Sequence, residues 1–381
     1  MATEYSTRAL ATFAAAWLCA CPQSGGSGEN AIDGTFRYLT TDNLNGEDDD
    51  PAAVLDANGT IHLVWFSDRD GTKDLYYVHS TAIDLDQASI AWTQPIQITH
   101  LDPLSYPPPT RGDNYPALLV DADGTIHVAW HRWNLANECH IHYLKCDGTP
   151  SGWVSAVEVP VTSGQNFDRF PHLVRLAPDD LRIYFGSSTR VFPGVNDVVM
   201  AKSSDQGATW DTPLPVPSLQ ASTEHTQFPT VVMLAPSRFA ATLDRWQVGA
   251  TGDALDPTTD VFYAESSDAE HWTVDQVTHQ PLDDVHDFVP APFFDHQNRL
   301  HLAWSTTGLG DPAADIVSVL ASERALYPAK ARLLSPDVGR TDHSPRVLPV
   351  TVRGLAVYVM VWVRIVNAPH NQVGYRIFSK L

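Results

Sequence analysis

The sequence predicts an all-β protein, a six-bladed β-propeller with four strands in each blade. Three observations carry that expectation. Short apolar runs alternate with turns rich in Gly, Pro, Asp and Asn along the 381 residues. One unit recurs six times, marked by Asp-x-x-Pro or a close variant. The last unit lacks a fourth strand, and the N-terminal stretch supplies one.

The markers are Asp48–Pro51, Asp113–Pro116, Asp168–Pro171, His225–Pro229 (without the Asp), Asp287–Pro290 and Asp342–Pro345, with Pro-to-Pro steps of 65, 55, 58, 61 and 55 residues. A first strand follows each Pro, then a turn such as Asp56-Ala57-Asn58-Gly59. A second strand ends on an aromatic 14 residues past the Pro at Trp65, Trp130, Phe185 and Trp304; Leu243 stands there in unit four, and Trp362 lies at 17 in unit six. Third strands are expected over Leu75–His79, His140–Leu144, Asp197–Ala201, Val261–Glu265, Ile316–Leu320 and Val373–Phe378. Trp-led fourth strands are expected at Trp92–Thr99, Trp153–Val161, Trp210–Val216 and Trp272–Thr278. Unit six stops after its third strand, so Gly34–Thr41 is expected to complete its blade and close the ring, removing the open edges.

Ahead of the propeller, Ala9–Ala20 is an apolar run after Arg8, too short to span a bilayer. It ends Leu18-Cys19-Ala20-Cys21, which resembles a bacterial lipobox. Residues 1–21 are therefore expected to be a signal peptide of lipoprotein type with Cys21 lipidated. Residues 22–33 are expected to be a flexible tether, and residues 34–381 the propeller. The implied location is extracytoplasmic, anchored at the cell surface or secreted, with the membrane touched only through the lipid. Acidic residues outnumber basic ones 45 to 24, a net charge of −21. That excludes nucleic acid as a partner. Cys139 and Cys146 bracket one strand, roughly 23 Å apart at about 3.3 Å per residue, beyond the reach of a disulfide.

Positions that recur in most blades are read as structure. The Asp of Asp-x-x-Pro is expected to cap a turn, and His62, His127 and His301, each 11 past a Pro, to pack. Asp48-Asp49-Asp50 reads as a solvated acidic loop rather than a calcium site. His140 and His142 with Glu138 lack a third ligand. No cofactor or metal is expected, and a monomer is.

Blade three ends on Ser203-Ser204-Asp205-Gln206-Gly207-Ala208-Thr209-Trp210, of the form Ser-x-Asp-x-Gly-x-Thr-Trp. The octet resembles the Asp-box, or BNR repeat, of the sialidase (neuraminidase) superfamily, where it sits in an outer turn away from the catalytic face. Arg169-Phe170-Pro171 is similar to the family's Arg-Ile-Pro, whose Arg binds the substrate carboxylate. Arg190 approximates the second family Arg, and Arg245 and Arg346 are candidates for the remaining two. The resemblance implies a propeller over residues 34–381 and an exo-glycosidase for acidic sugars. Its nucleophile would be a Tyr activated by a Glu. Tyr115 and Glu224 are candidates for that pair, although Phe170 and Phe228 occupy the place equivalent to Tyr115. The family's acid/base Asp belongs in the loop Val191–Asp197, where Asp197 abuts the third strand.

Blade-specific residues at the channel face carry the functional reading. The catalytic candidates are Asp244, Glu224 and Tyr115. The substrate-binding candidates are Arg169, Arg190, Arg245, Arg346, Trp133, Trp246 and His343, beside His131, Arg132 and Arg364. Arg presents a planar fork to a carboxylate, and Trp133 or Trp246 offers a stacking face to a sugar. Two readings stay open: a sialidase-like glycoside hydrolase, and a non-catalytic propeller binding a glycan, glycoconjugate or protein.

Overall fold

The computed structural model describes residues 34–40, 47–102, 105, 112–188, 195–220, 224–247, 259–278, 285–307, 313–335, 340–367 and 370–381. The expected signal peptide, Cys21 and the tether lie outside them. Six antiparallel sheets form the blades. Each begins with the strand that contains the marker Pro: Asp48–Leu55, Gly112–Val120, Asp168–Ala177, Glu224–Ala235, Asp287–Phe294 and Asp342–Val352. The second strands are buried on both faces; in Ile61–Ser67 every residue is buried. Such strands read as continuous apolar runs because each blade is covered by two neighbours.

Six apolar clusters separate successive blades. Trp65, Val361 and Tyr375 meet between blades six and one, and Val64 and Trp130 between one and two. Ala129 and Phe185 meet between two and three, Tyr184 and Leu243 between three and four. Tyr263 and Trp304 meet between four and five, Ala303 and Trp362 between five and six. The cluster between blades six and one closes the ring. The N-terminal strand Arg37–Tyr38 pairs with His370–Phe378, Arg37 opposite Tyr375 and Tyr38 opposite Gly374.

A recurrent clip joins the outer strands. The backbone N–H near the start of the third strand donates to a hydroxyl near the end of the fourth. Leu75 donates to Thr99, Ile141 to Thr162, Val261 to Thr278 and Ile316 to Ser335. In blade six Val373 donates to Thr40, 333 residues away. The closing strand thus carries the same clip as the ordinary fourth strands.

Three expectations change. The fourth strands are short, and only Trp272 heads one: Trp153 lies on the helix Pro150–Ser155, Trp92 ends Ser89–Trp92, and Trp210 precedes Leu214–Pro215. The Asp of Asp-x-x-Pro belongs to the first strand in all five blades that have it, and in four its carboxylate holds a side chain of the same blade rather than capping a turn. Asp48 and Asp287 accept the indole N–H of Trp65 and Trp304. Asp113 and Asp342 clamp Arg132 and Arg364, the latter through two bonds of 2.8 Å. Finally, Asp48, Asp49 and Asp50 form no solvated loop; all three are buried.

The recurring histidines are hydrogen-bonded, not merely packed. His127 joins Tyr143 at 2.6 Å to the turn residue Asp121 at 2.8 Å, and His301 contacts Asp295 at 3.2 Å. The octet of blade three is a self-bonded turn. Asp205 accepts from the Thr209 N–H at 2.8 Å and from its hydroxyl at 2.6 Å. Gly207 has φ +85°, and a side chain there would strike the Tyr143 ring of blade two. Blade four holds a shorter copy, Ser266 to Trp272, in which Asp268 accepts from the N–H groups of Glu270 and His271.

Candidate functional site at the channel mouth

The marker Pro builds the site through its neighbours. Pro disfavours the right-handed helical region for the residue before it. In all six blades that residue takes a left-handed conformation: Asp50 (φ 51°), Tyr115 (48°), Phe170 (57°), Phe228 (48°), Val289 (51°) and Ser344 (54°). Each blade also shifts register there, for example between Asp49 and Ala52 and between His343 and Arg346. A non-Gly residue at positive φ costs roughly 1–2 kcal/mol, most for β-branched Val289. Six bulges at one level re-aim six side chains towards the channel.

Three tiers of side chains result. Two residues before the Pro, at the rim, stand Asp49, Asn114, Arg169, Gln227, Phe288 and His343. The left-handed residues come next. Phe170 and Phe228 lie 4.1 Å apart, and Tyr115 meets Phe170 edge-on at 4.6 Å, making an aromatic plug. One residue past the Pro, beneath the plug, stand Ala52, Ala117, His172, Thr230, Ala291 and Arg346. The marker is constant while the rim differs from blade to blade.

Arg169 is the main feature of the rim. Its guanidinium lies over the rings of Phe170 (5.1 Å) and Trp133 (6.0 Å). Among the described residues it has no ion pair and no hydrogen bond. Burial pushes its pKa down, as expected of a cation removed from water. Across the channel, Asp49 accepts from Asn371 and, at 2.6 Å, from the Asp50 N–H. His343 faces it at 3.9 Å.

Asp244 lies deeper. The N–H of the left-handed residue in one blade is capped from the second strand of the blade before. Phe170 donates to His131 Nδ1 at 3.3 Å, and Val289 to Asp244 Oδ2 at 3.1 Å. His131 and Asp244 each lie 15 past their Pro, so they are equivalent. A neutral imidazole meets this structural need, since burial pushes His131 well down and keeps it uncharged. A carboxyl exceeds the need: Asp244 Oδ1 is buried with no partner among the described residues. Burial pushes Asp244 up to about 7.

The other candidates divide. Tyr115 sits in the plug, stacked on His131 at 5.3 Å. Burial first, then the Asp50 and Asp49 charges, push its phenol well up. That is opposite to what a nucleophile needs. Glu224 is 3.8 Å from Arg245, and Arg245 also donates to the Leu219 carbonyl at 3.1 Å. Both are therefore engaged at the border of blades three and four, and neither completes a carboxylate clamp with Arg169. Trp246 is buried with His225 stacked on it at 5.0 Å, which corrects its reading as an open sugar platform. Arg132 and Arg364 are held by Asp113 and Asp342. Arg346 lies below the plug, not at the rim. Arg190 and residues 191–194 lie outside the described residues. Sequence reasoning missed Asp49, Gln227 and Asn371; the first two shared the place of Arg169 before the Pro, a signal left unused.

No family model matches the sequence, and no curated protein does. Solved structures match over nearly the whole chain. A protein of unknown function from Dyadobacter fermentans is 15% identical with a TM-score of 0.65, covering 92% of this chain and 99% of that one. The GH93 alpha-L-arabinofuranosidase of Fusarium graminearum, solved with arabinobiose, is 13% identical with a TM-score of 0.58, covering 91% and 97%. The NanB sialidase of Streptococcus pneumoniae is 10% identical with a TM-score of 0.56, covering 93% and 71%. At these identities the likeness establishes the six-bladed propeller fold.

Proposed function

We propose that this chain is a glycan-acting propeller, an exo-acting glycoside hydrolase for a terminal sugar bearing a carboxylate. The observation that carries the reading is Arg169, a half-buried cation at the channel mouth with no anionic partner among the described residues. Burying an unpaired guanidinium is costly, and a substrate carboxylate relieves that cost with two charge-assisted bonds. Asp244 is the proton donor in this reading. A carboxyl near 7 is half-protonated at neutral pH, matched to general acid work. Its proton passes to the glycosidic oxygen as the bond to the anomeric carbon breaks. Water adds to that carbon and its proton goes to Asp49. Asp244 is 1% exposed, so the leaving oxygen must enter below the rim to reach it. Structural neighbours that act on arabinosides and sialosides support a glycan substrate.

One observation favours a second reading, a non-catalytic glycan-binding propeller: Tyr115 and Glu224 form no activated nucleophile pair. The test is release of a fluorogenic aglycone from sialosides and uronides, with Arg169→Ala alongside. We expect turnover by the wild type and a loss of about 10–100-fold in kcat/KM in the variant, the worth of a charged hydrogen-bonded pair. No turnover with saturable glycan binding that the variant loses would establish the second reading. We further propose that the chain is exported and lipidated at Cys21. Metabolic labelling with palmitate is expected to mark the wild type and not Cys21→Ala; equal labelling would refute it.

A further inference from the structure

Below the plug, the channel holds a cavity of about 200 Å³. Tyr115, Phe170 and Phe228 line one part of its wall, and Asp50, His172 and Arg346 another. Arg346 is the only Lys or Arg among the lining residues. Its guanidinium donates to its own Pro345 carbonyl at 2.7 Å. It makes no other hydrogen bond and no ion pair among the described residues, so most of its five donors are unused. Burial lowers its pKa to about 10, which leaves it charged at neutral pH.

Neither polar neighbour neutralises it. His172 Nε2 lies 2.8 Å from the Val231 carbonyl, so that nitrogen carries the hydrogen. Burial draws this imidazole down to about 4 and keeps it uncharged. Asp50 lies beyond ion-pair distance of Arg346, and burial together with the Asp49 charge makes it hold its proton more tightly than an ordinary carboxyl. What remains is a cation facing an aromatic wall across a space larger than the roughly 150 Å³ that takes up benzene in an engineered core.

We propose that this cavity is a second binding site, for a small organic monocarboxylate. Arg346 holds the carboxylate through its planar fork, and the hydrocarbon body packs against the Tyr115, Phe170 and Phe228 rings. The site is distinct from the rim: Arg169 precedes the left-handed residue of its blade and Arg346 follows that of its own, on opposite sides of the plug.

The test is melting and calorimetric titration of the full chain with butyrate, butyramide and chloride. Butyrate at about a hundredfold over its Kd is expected to raise Tm by about 4 °C. Butyramide and chloride are expected to leave Tm unchanged. Arg346→Met should abolish the butyrate response while Arg169→Ala keeps it. Arg346→Lys, which preserves charge without the fork, should bind butyrate at least about tenfold more weakly, and it serves if the Met variant does not fold. An absent response, an equal response to butyramide or chloride, full retention in both Arg346 variants, or loss in Arg169→Ala would each overturn the site.

Discussion

Asp244→Asn is expected to cut turnover by about 10²–10⁴-fold, the usual worth of a general acid, and yet to resist alkali better than the wild type. The sign follows from burial. Asp244 binds its proton up to about pH 7 in the fold and only to about pH 4 when unfolded. Its stability contribution is complete below about pH 4 and is lost as pH rises to 7. The loss amounts to about 4 kcal/mol at about 1.4 kcal/mol per pH unit. For a chain of this size that is about 5 °C in Tm. The Asn side chain carries no charge and its oxygen still accepts from the Val289 N–H. The Tm difference between variant and wild type should therefore grow by about 5 °C from pH 4 to pH 8. Melting curves at both values and kcat at pH 7 check it. A flat difference, with turnover intact, would leave Asp244 as a backbone cap like His131.

Deleting residues 34–40 is expected to lower Tm by about 7 °C or more and to promote aggregation. The deletion removes the Thr40 clip to Val373. It also removes the Phe36 ring, which lies 4.5 Å from Trp362 and 4.2 Å from the Arg364 guanidinium. Together these losses are on the order of 5 kcal/mol, and the strand His370–Phe378 becomes an unprotected edge. A subtler variant tests the same seam. Gly374 lies beneath Phe36, and a Cβ there would come within 2.1 Å of the ring and 2.6 Å of the Arg37 carbonyl. Gly374→Val should therefore reproduce much of the deletion through overpacking. Unchanged melting and light scattering in both proteins would refute the closure as a stabilising element.

Much of the fold was legible because its signal is local and repeated. The marker Pro, the turn after the first strand and the aromatic ending the second lie within one unit, so six copies reinforce one another. The short fourth strands were less legible. Trp153 has the same neighbours in sequence whether it heads a strand or lies on a helix, and its burial under blade one, 4.8 Å from Tyr77, is a tertiary matter. The acidic run Asp48-Asp49-Asp50 misled for a similar reason. Charge in sequence suggests solvent, but an indole and an arginine receive the Asp48 carboxylate and an asparagine 322 residues on receives that of Asp49.

By itself the sequence determined the number of blades, the order of the first three strands in each and the closure by the N-terminal stretch. Each follows from repetition along the chain. Only the tertiary structure decided which charged residues are committed within the protein. Arg132, Arg245 and Arg364 looked as available as Arg169, yet each is held by a carboxylate or carbonyl of another segment, while among the described residues Arg169 has aromatic faces beside it and no ion pair. Pairing of this kind is set by contacts such as that between Asp49 and Asn371, 322 residues apart. Closing the ring brings such residues together, and no local pattern encodes the meeting.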